Sequence, residues 1–394
     1  MKILVANLGS TSFKYRLYSL EDGDERMLAK GGYERVEDYA SVIEDCLATL
    51  QSEGHLIGDS DLDAVGFKTV LGKDLSGCVE ADDKALTALE GFKEVAPAHN
   101  PAYATGIRMF AKVMPSVTRV ALFETAFYQW VPKAASIYAV PQNWHDAGVR
   151  RYGFHGASHK FIAERSAQLL GRDDVAAKVQ ALYQKGDTPV EGAPLRVISC
   201  HLGGSSSVTG IKNGVAIGTS MGFSPQGGLP QNNRVGDLDS MAVPYMMKTT
   251  GLSLEEAERQ LTQEGGLLGI SGVSNDLRDV KAAAESGNER AQLALDALVH
   301  SIRHWAGSFV FQMGGCDAIC FTGGIGENNA ELRTDVCAGL EGFGLILHPT
   351  TNATTREEGD ISASNSRVKA FVIPANEELV VAREVSRFLQ AQPA

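Results

Sequence analysis

The sequence lacks any apolar run that approaches the roughly 20 residues needed to span a membrane. Its first segment, MKILVANLGS, holds one lysine and an apolar run that stops at Asn7, which is too short for a signal-peptide core and cleavage site. Basic charge is also scarce, because 36 Lys and Arg face 48 Asp and Glu, a formal net charge of -12. That balance argues against nucleic acid or an anionic membrane as the main partner. We therefore expect a soluble, cytoplasmic protein with neither kind of partner.

Paired metal-ligating residues are missing as well. The six cysteines contain no CxxC pair, and Cys316 and Cys320 have no histidine pair at metal-finger spacing. We expect reduced, mostly buried thiols, because free cysteine behaves as a small hydrophobe. His155 and His159 have the spacing of ligands on one helical face, but no glutamate lies between them as in H-E-x-x-H. A metal site at these histidines is disfavoured.

Short apolar strands alternate with helical patterns along the chain, which predicts an α/β fold. A chain of 394 residues exceeds the size at which single cores stop growing, so two domains are expected. Strands are predicted at 2–7, 13–20, 63–71 and 118–123, on both sides of the turn at 203–207, at 317–322 and at 368–373. Helices are predicted at about 158–170 and 279–313, and residues 183–194 are interpreted as an exposed loop.

Two segments about 190 residues apart follow one pattern. Residues 4–14, LVANLGSTSFK, and residues 197–208, VISCHLGGSSSV, each have an apolar strand, a polar residue, Leu-Gly, small hydroxyl residues and a second strand. Two domains built on one plan would explain the repeat. Two ordinary hairpins that share turn residues would explain it equally well.

The chemistry of these turns favours anion binding. Consecutive Gly and Ser residues allow backbone N–H groups to converge on an anion, and the hydroxyls add donors. Two such turns across a cleft could hold a polyphosphate, and a third glycine-rich turn at 323–328 suits the approach of a base or ribose. Neither G-x-G-x-x-G nor G-x-x-x-x-G-K-[ST] occurs, so a nucleotide enzyme with this sequence must use another architecture.

Seven stretches, spread in order over nearly the whole chain, resemble the acetate kinase family of short-chain carboxylate kinases in the sugar kinase, Hsp70 and actin superfamily. They are NLGSTSFKYRLY, APAHNPAY, RRYGFHGASHKFIAERSA, the segment from HLGGSSSV to RVGDLD, GGLLGISGVSNDLRD, FTGGIGENNAELR and IPANEELVVAREV. The resemblance implies two duplicated actin-like (ribonuclease H-like) domains, residues 1–147 plus 380–394 and residues 148–379, with a nucleotide cleft between them. It also implies ATP or ADP as co-substrate, Mg²⁺ and a homodimer.

The resemblance also implies roles for individual residues, of which the catalytic ones are His155, Arg234, Glu124 and Lys68. It implies a substrate wall formed by Val70, Ala98, His99, Phe154 and Pro225. It implies nucleotide and phosphate contacts from Asn7, Ser10, Ser12, Lys14, His201, Gly203, Gly204, Asp276, Arg278, Gly323, Gly324, Ile325, Gly326 and Asn328. Metal binding is implied for Asn7 and Glu377.

The chain departs from the family pattern at several positions to which the resemblance assigns catalytic or binding roles. Lys68 replaces an arginine and cannot form a bidentate clamp, and Glu124 replaces a shorter aspartate. Gly204 replaces an asparagine and removes a side-chain amide near the phosphates, while Ala98 replaces a leucine and leaves room for a larger or more polar acid.

The leading hypothesis is reversible in-line transfer of the γ-phosphoryl of ATP to a short-chain carboxylic acid, giving acyl phosphate and ADP. One alternative is a related kinase with another phosphoryl donor, such as pyrophosphate, against which the GGIGEN turn argues. The other is a nucleotide-binding regulatory homologue with weak or no activity. Lys68, Glu124 and Gly204 favour it, and the retained His155 and Arg234 oppose it.

Overall fold

The computed structural model describes residues 1–9, 11–21, 24–96 and 99–392, without the side chain of residue 59. A first six-stranded sheet has the order β3-β2-β1-β4-β6-β5. Strand β1 pairs antiparallel with β2 and parallel with β4, and β4 pairs parallel with β6. The strands are β1 (Lys2–Leu8), β2 (Ser12–Glu21), β3 (Asp24–Glu34), β4 (Ala64–Thr69), β5 (Cys78–Glu80) and β6 (Thr118–Phe123).

A second six-stranded sheet repeats this topology strand for strand. Its order is β11-β12-β10-β7-β8-β9, with β7 antiparallel to β8 and parallel to β10, and β10 parallel to β12. In both sheets a short antiparallel strand closes the far edge, β5 in the first and β11 in the second. The strands are β7 (Arg196–Leu202), β8 (Ser206–Lys212), β9 (Val215–Thr219), β10 (Ala318–Thr322), β11 (Gly359–Asp360) and β12 (Lys369–Val372). The repeat found in the sequence is therefore a repeat of topology, and the predicted duplicated α/β fold is confirmed.

Helices cover both sheets, and among the described residues none is long and apolar enough to cross a membrane. They are α1 (Tyr39–Ser52), α2 (Asp83–Gly91), α3 (Asn100–Val113), α4 (Lys133–Ser136), α5 (Gln142–Asp146), α6 (Gly156–Leu169), α7 (Asp173–Gln180), α8 (Leu182–Lys185), α9 (Ala242–Thr250), α10 (Leu254–Gln263), α11 (Gly266–Ser271), α12 (Leu277–Glu285), α13 (Glu289–Met313), α14 (Gly323–Asn328), α15 (Ala330–Cys337), α16 (Pro349–Thr354) and α17 (Glu377–Ala391). Two 3₁₀ turns lie at Asp59–Asp61 and Ala126–Tyr128.

Three sequence predictions need correction. The helix predicted at 279–313 is two helices, because Gly287 has a left-handed φ of 89° and the side chain of Asn288 then accepts from Ala291 N and starts α13. The loop predicted at 183–194 begins inside α8, which continues to Lys185. The third glycine-rich turn is itself helical and forms α14.

Local signals elsewhere are confirmed. Asn213 and Gly214 both have positive φ, as a two-residue hairpin between β8 and β9 requires. Ser253 accepts from Glu256 N and starts α10. All six cysteines are free, and four of them are buried.

Helices α6 and α17 pack against each other and between the two sheets. Helix α17 lies on the first sheet, where Val381 and Val385 occupy the space above Gly66 of β4. Helix α6 lies on the second sheet through Ile162 and Ala163. Their N-termini carry residues that the sequence assigns to the site, so this packing positions the site.

A buried ion pair joins these two helices. Lys160 Nζ of α6 lies 2.6 Å from Glu384 Oε1 of α17, with the two side chains 1% and 0% exposed. Arg387, one turn further along α17, also donates to Glu384 at 2.5 Å. An unpaired charge at either position would remain buried, which is far more costly than the pair itself.

We expect the substitution Glu384→Met to destabilise the protein by about 3–5 kcal/mol, because it leaves the ammonium of Lys160 buried without its carboxylate. The double variant E384M/K160M removes both charges and should recover most of this loss. Urea unfolding of the two variants measures the difference. Equal losses in the single and double variants would contradict the assignment of the cost to the unpaired charge.

Candidate active site

Three charged side chains meet where β4, β6 and α17 come together. Lys68 is the penultimate residue of β4, Glu124 directly follows the neighbouring parallel strand β6, and Glu377 is the first residue of α17. Lys68 Nζ donates to Glu377 Oε2 and lies 3.2 Å from Glu124 Oε1. The carboxyl ends of parallel strands share one edge, so the sheet topology brings the three groups together.

Burial makes this charge cluster asymmetric. Burial opposes the charged form of Lys68, but the carboxylates of Glu377 and Glu124 raise its pKa well above the ordinary value. Burial also opposes ionisation of Glu377, but Lys68 and His201 hold its pKa well below the usual range. Burial raises the pKa of Glu124, which Lys68 only partly offsets. One ammonium therefore faces two carboxylates, and Glu124 is the under-compensated one.

The carboxylate of Glu124 is incompletely paired within the protein. The side chain is 6% exposed, and apart from the ammonium of Lys68, 3.2 Å from Oε1, neither oxygen has a partner among the described residues. Its backbone is fixed, because Glu124 N donates to Thr69 O at 2.8 Å and Gly156 N donates to Glu124 O at 3.1 Å. No group of three His, Cys, Asp or Glu side chains in the described ranges could hold a metal ion. A divalent cation here would be held by one or two carboxylates together with ligand oxygens and water, as Mg²⁺ commonly is.

The close contact with Glu124 explains the glycine at the start of α6. A Cβ at Gly156 would lie 2.1 Å from the carbonyl oxygen of Glu124, so no other residue fits without moving the helix. The preceding residue, His155, has a left-handed φ of 57°, which is uncommon for a residue with a side chain. The tight approach of α6 to Glu124 thus places His155 at the edge of the same cluster.

Two histidines and two serines form a hydrogen-bonded network behind this edge, and a third histidine stacks on it. Ser207 Oγ lies 2.8 Å from His155 Nδ1 and 2.8 Å from His159 Nε2. His159 Nδ1 lies 2.7 Å from the hydroxyl of Ser199, and the rings of His155 and His201 stack with centroids 4.2 Å apart. The network occupies Nδ1 of His155, which leaves Nε2 as the ring nitrogen available to a ligand.

These histidines are neutral at neutral pH. Burial, together with the neighbouring His201 and His159, lowers the pKa of His155 well below its ordinary value. Burial and His201 lower the pKa of His159 in the same way, and burial lowers that of His201. His155 can therefore donate a hydrogen bond as an imidazole, without adding a positive charge beside Lys68.

Arg234 is a cation without a carboxylate partner among the described residues. Its Nη1 donates to Ser205 Oγ at 3.2 Å, and burial lowers its pKa. Ser205 donates in turn to Gln231, whose Nε2 donates to the carbonyl of Pro225. A half-buried guanidinium that contacts only a hydroxyl retains donors for an anion.

The turn between β7 and β8 presents free backbone donors beside Arg234. Gly203 N donates to Ser206 Oγ at 3.1 Å, whereas Gly204 N and Ser205 N donate to no other residue in the described part of the chain. Neither Gly203 nor Gly204 has a positive φ. The glycines of this turn are thus not needed for an unusual backbone conformation. Their lack of a side chain allows a ligand to approach the backbone closely.

A cavity of about 880 Å³ extends from this turn to α14. It brings together seven of the residues predicted to contact the nucleotide: Gly203, Gly204, Asp276, Arg278, Gly324, Ile325 and Asn328. Asp276 and Arg278 pair with each other at 2.5 Å at the rim. Asn232 and Arg356 also line the cavity and were missed by the sequence analysis.

Helix α14 is held against the end of β7 by two features. Gly323 has a φ of 78°, and a Cβ there would lie 2.6 Å from the carbonyl oxygen of Leu202. Arg333 is fully buried and donates to the carbonyls of Gly326 and Glu327, each at 2.8 Å. Arg333 therefore satisfies the last carbonyls of α14, a role that the ELR sequence alone did not reveal.

The remaining predicted residues lie in different surroundings. Asn7 Oδ1 accepts from the buried hydroxyl of Tyr103 at 3.0 Å, and Ser12 opens β2. Lys14 is largely exposed and lies 3.3 Å from Glu34. Val70 and Phe154 are buried in the core of the first sheet, and His99 is an exposed residue directly before α3. Ser10 and Ala98 lie outside the described residues.

We expect the fold to lose stability as the pH falls below about 6.5. The unfolded histidines bind protons there, whereas the buried histidines of the folded state stay neutral, so each can contribute about 1.4 kcal/mol of lost stability per pH unit. The substitution His159→Gln should reduce the slope by about one proton, which urea unfolding at several pH values would measure. His300→Gln, at an exposed position of α13, is the matched control. A slope that H159Q leaves unchanged would contradict the origin in this network.

Known proteins match this chain over nearly its full length. A model of the Acetokinase family matches residues 30–383. An acetate kinase of Shouchella clausii is 38% identical over 410 residues, covering 98% of this chain and 99% of that protein. An acetate kinase of Bacillus subtilis is also 38% identical over 410 residues, with 98% and 99% covered.

Solved structures give the same result. An acetate kinase of Porphyromonas gingivalis superposes with a TM-score of 0.86 at 33% identity, covering 98% of this chain and 99% of that one. A propionate kinase of Francisella tularensis superposes with a TM-score of 0.83 at 31% identity, covering 97% and 98%. Because the family model spans most of the chain and relatives of the same fold span nearly all of it, the chain belongs to the acetokinase family.

Proposed function

We propose that the protein transfers the γ-phosphoryl group of ATP reversibly to a short-chain carboxylic acid, giving an acyl phosphate and ADP. Acetate, propionate and a larger or substituted acid are the candidate acceptors. The observation that carries the proposal is the half-buried Arg234, which has no carboxylate partner among the described residues and lies beside a turn with free N–H groups. Such an arrangement suits a phosphoryl group that is transferred from one oxygen to another.

The side chains support direct in-line transfer. Arg234 is the group to bind the equatorial oxygens of the phosphoryl, because its planar fork spreads positive charge over them. Neutral His155 is the group to donate a hydrogen bond from Nε2 to developing negative charge, held by Ser207 at Nδ1. A carboxylate acceptor needs no general base, so positioning and charge neutralisation are sufficient.

Magnesium fits the acidic side of the site. The candidate ligands are Glu377, the incompletely paired carboxylate of Glu124 and the amide oxygen of Asn7, and Mg²⁺ would neutralise phosphate charge when bound. Lys68 already neutralises part of this charge in the protein itself. With a cation held by Glu377, the ammonium of Lys68 would be available to the acceptor carboxylate.

The cavity between the phosphate turn and α14 supports a nucleoside triphosphate over pyrophosphate as donor. Ile325 and Asn328 line this cavity of about 880 Å³ together with Gly203 and Gly204, and pyrophosphate would leave part of the space unused. No observation favours a purely regulatory role.

We further propose a cytoplasmic homodimer with domains at residues 1–147 plus the C-terminal helix, and 148–376. The packing of α17 on the first sheet moves the proposed boundary from 380 to 377. Exposed apolar side chains in and around α9 support a contact between copies: Leu238, Met241, Tyr245, Met246 and Leu254. Six unpaired cysteines support a reducing compartment.

Replacing Arg234 with lysine should lower kcat at least about 100-fold, because an ammonium cannot clamp two oxygens of the transferring group. Hydroxylamine trapping of the acyl phosphate from a panel of short carboxylates measures this. Arg259→Lys, on the exposed face of α10, is the matched control and should retain full activity. If R234K kept half of the wild-type rate, Arg234 would not bind the transferring group.

Lys68 and Glu124 should behave as a coupled pair, since a shorter cation faces a longer carboxylate across 3.2 Å. Lys68→Arg and Glu124→Asp should each lower kcat/KM, the first by crowding and the second by opening a gap. The double variant K68R/E124D should be at least about fivefold more active than the two single effects predict, a coupling of about 1 kcal/mol. Strict additivity of the effects would mean that the residues act independently.

A further inference from the structure

The side chain of Asn232, from a neighbouring loop, lies beside Gly204. A Cβ built on Gly204 would lie 3.4 Å from Asn232 Nδ2 and 3.9 Å from Asn232 Cγ, which is ordinary van der Waals contact. The two backbones also touch, because Asn232 N donates to Gly204 O at 3.4 Å. The amide of Asn232 therefore lies where a side chain from the turn would begin.

Glycine at 204 is not required by the backbone of the turn. Gly204 is absent from the residues with positive φ, so a residue with a side chain can adopt its conformation. The first carbon of a side chain at 204 would lie in ordinary contact with the amide of Asn232, which is therefore its nearest neighbour. The turn and the loop before Arg234 are thus complementary, with one amide between them.

The amide of Asn232 is anchored but unsatisfied. Its backbone is held on both sides, because Asn232 O also accepts from Leu268 N at 3.0 Å. Its side-chain oxygen Oδ1 is buried and has no hydrogen-bond partner among the described residues. Oδ1 is an acceptor and cannot bind a phosphate oxygen, whereas Nδ2 donates to no group among the described residues and is the atom of Asn232 nearest to Gly204. Nδ2 is therefore the donor that is available to an anionic ligand in the cavity. Asn232 lines the same cavity as Gly203 and Gly204.

We propose that Asn232 is a phosphate-binding residue, whose Nδ2 donates to a phosphate oxygen of the nucleotide held over Gly204. The proposal rests on the proposed function in one respect, that the cavity holds the nucleotide. In the same turn the N–H groups of Gly204 and Ser205 donate to no other described residue, and Arg234 Nη1 lies 3.2 Å from Ser205 Oγ, so the amide joins a set of donors beside one turn. An amide adds a donor to this set without adding charge.

Titration calorimetry of ADP and of adenosine tests the proposal, because only ADP carries phosphates. The substitution Asn232→Gly should weaken ADP binding about tenfold or more, the usual contribution of a hydrogen bond to a charged group, and leave adenosine binding within about twofold. Asn232→Asp should weaken ADP binding further, because a carboxylate repels phosphate. The exchange variant G204N/N232G places the amide on the turn and should recover most of the affinity for ADP.

Three outcomes would overturn the proposal: an unchanged affinity of N232G for ADP, equal losses for ADP and adenosine, or an N232D variant that binds ADP as well as wild type. Thermal melting of each variant checks that it is folded, and N232G and N232D decide the matter even if the exchange variant does not fold. Wild-type protein that binds neither ADP nor ATP would instead overturn the proposed function.

Discussion

The site depends on how α6 and α17 cross between the two sheets, and a buried ion pair fixes that crossing. Lys160 and Glu384 face each other at 2.6 Å with almost no exposure, so neither helix can shift without exposing or unpairing a charge in the interior. Each helix begins at the site, α6 directly after His155 and α17 at Glu377. The glycine contacts at Gly66 and Gly156 bring the helices close to β4 and to Glu124. Small residues therefore set the distances, and the buried pair sets the register.

The charges of the site are divided into two sides. On one side, Glu124 and Glu377 share Lys68, which leaves the carboxylates under-compensated and attractive to a cation. On the other, Arg234 and the free N–H groups of the β7–β8 turn attract an anion. The neutral histidines lie between these sides, where a third positive charge would compete with Lys68. A polyphosphate with its cation matches this division, since it presents both signs of charge along one molecule.

The departures from the family pattern gain meaning only in three dimensions. In the sequence, Lys68 is a lost clamp and Glu124 a displaced carboxylate, two separate departures. In the fold they face each other, so a shorter cation and a longer anion span one gap. Gly204 lacks the amide of the family pattern, yet the amide of Asn232, 28 residues later in the chain, lies beside it. Pairs of changes that lie far apart in sequence cannot be recognised as pairs before the fold is known.

Local sequence patterns were sufficient to predict most secondary-structure elements and the duplication of the fold. Short apolar runs predicted eight of the strands, β1, β2, β4, β6, β7, β8, β10 and β12, but not β3, β5 or β11. The repeated Leu-Gly turns indicated the duplication and Asn213-Gly214 indicated a hairpin, because these features depend on neighbours within a few residues. Seven residues that line the cavity between the β7–β8 turn and α14 were also identified, because they lie in compact motifs. Local pattern failed where a polar interruption competes with helical periodicity, as at Gly287, and where a glycine turn continues into α14. The tertiary structure alone decided the Lys160–Glu384 pair, the capping of α14 by Arg333, the serine–histidine network behind His155 and the position of Asn232. Each of these contacts joins elements that are distant in the chain. Their strength depends on burial, because the complete fold excludes the water that would otherwise weaken them.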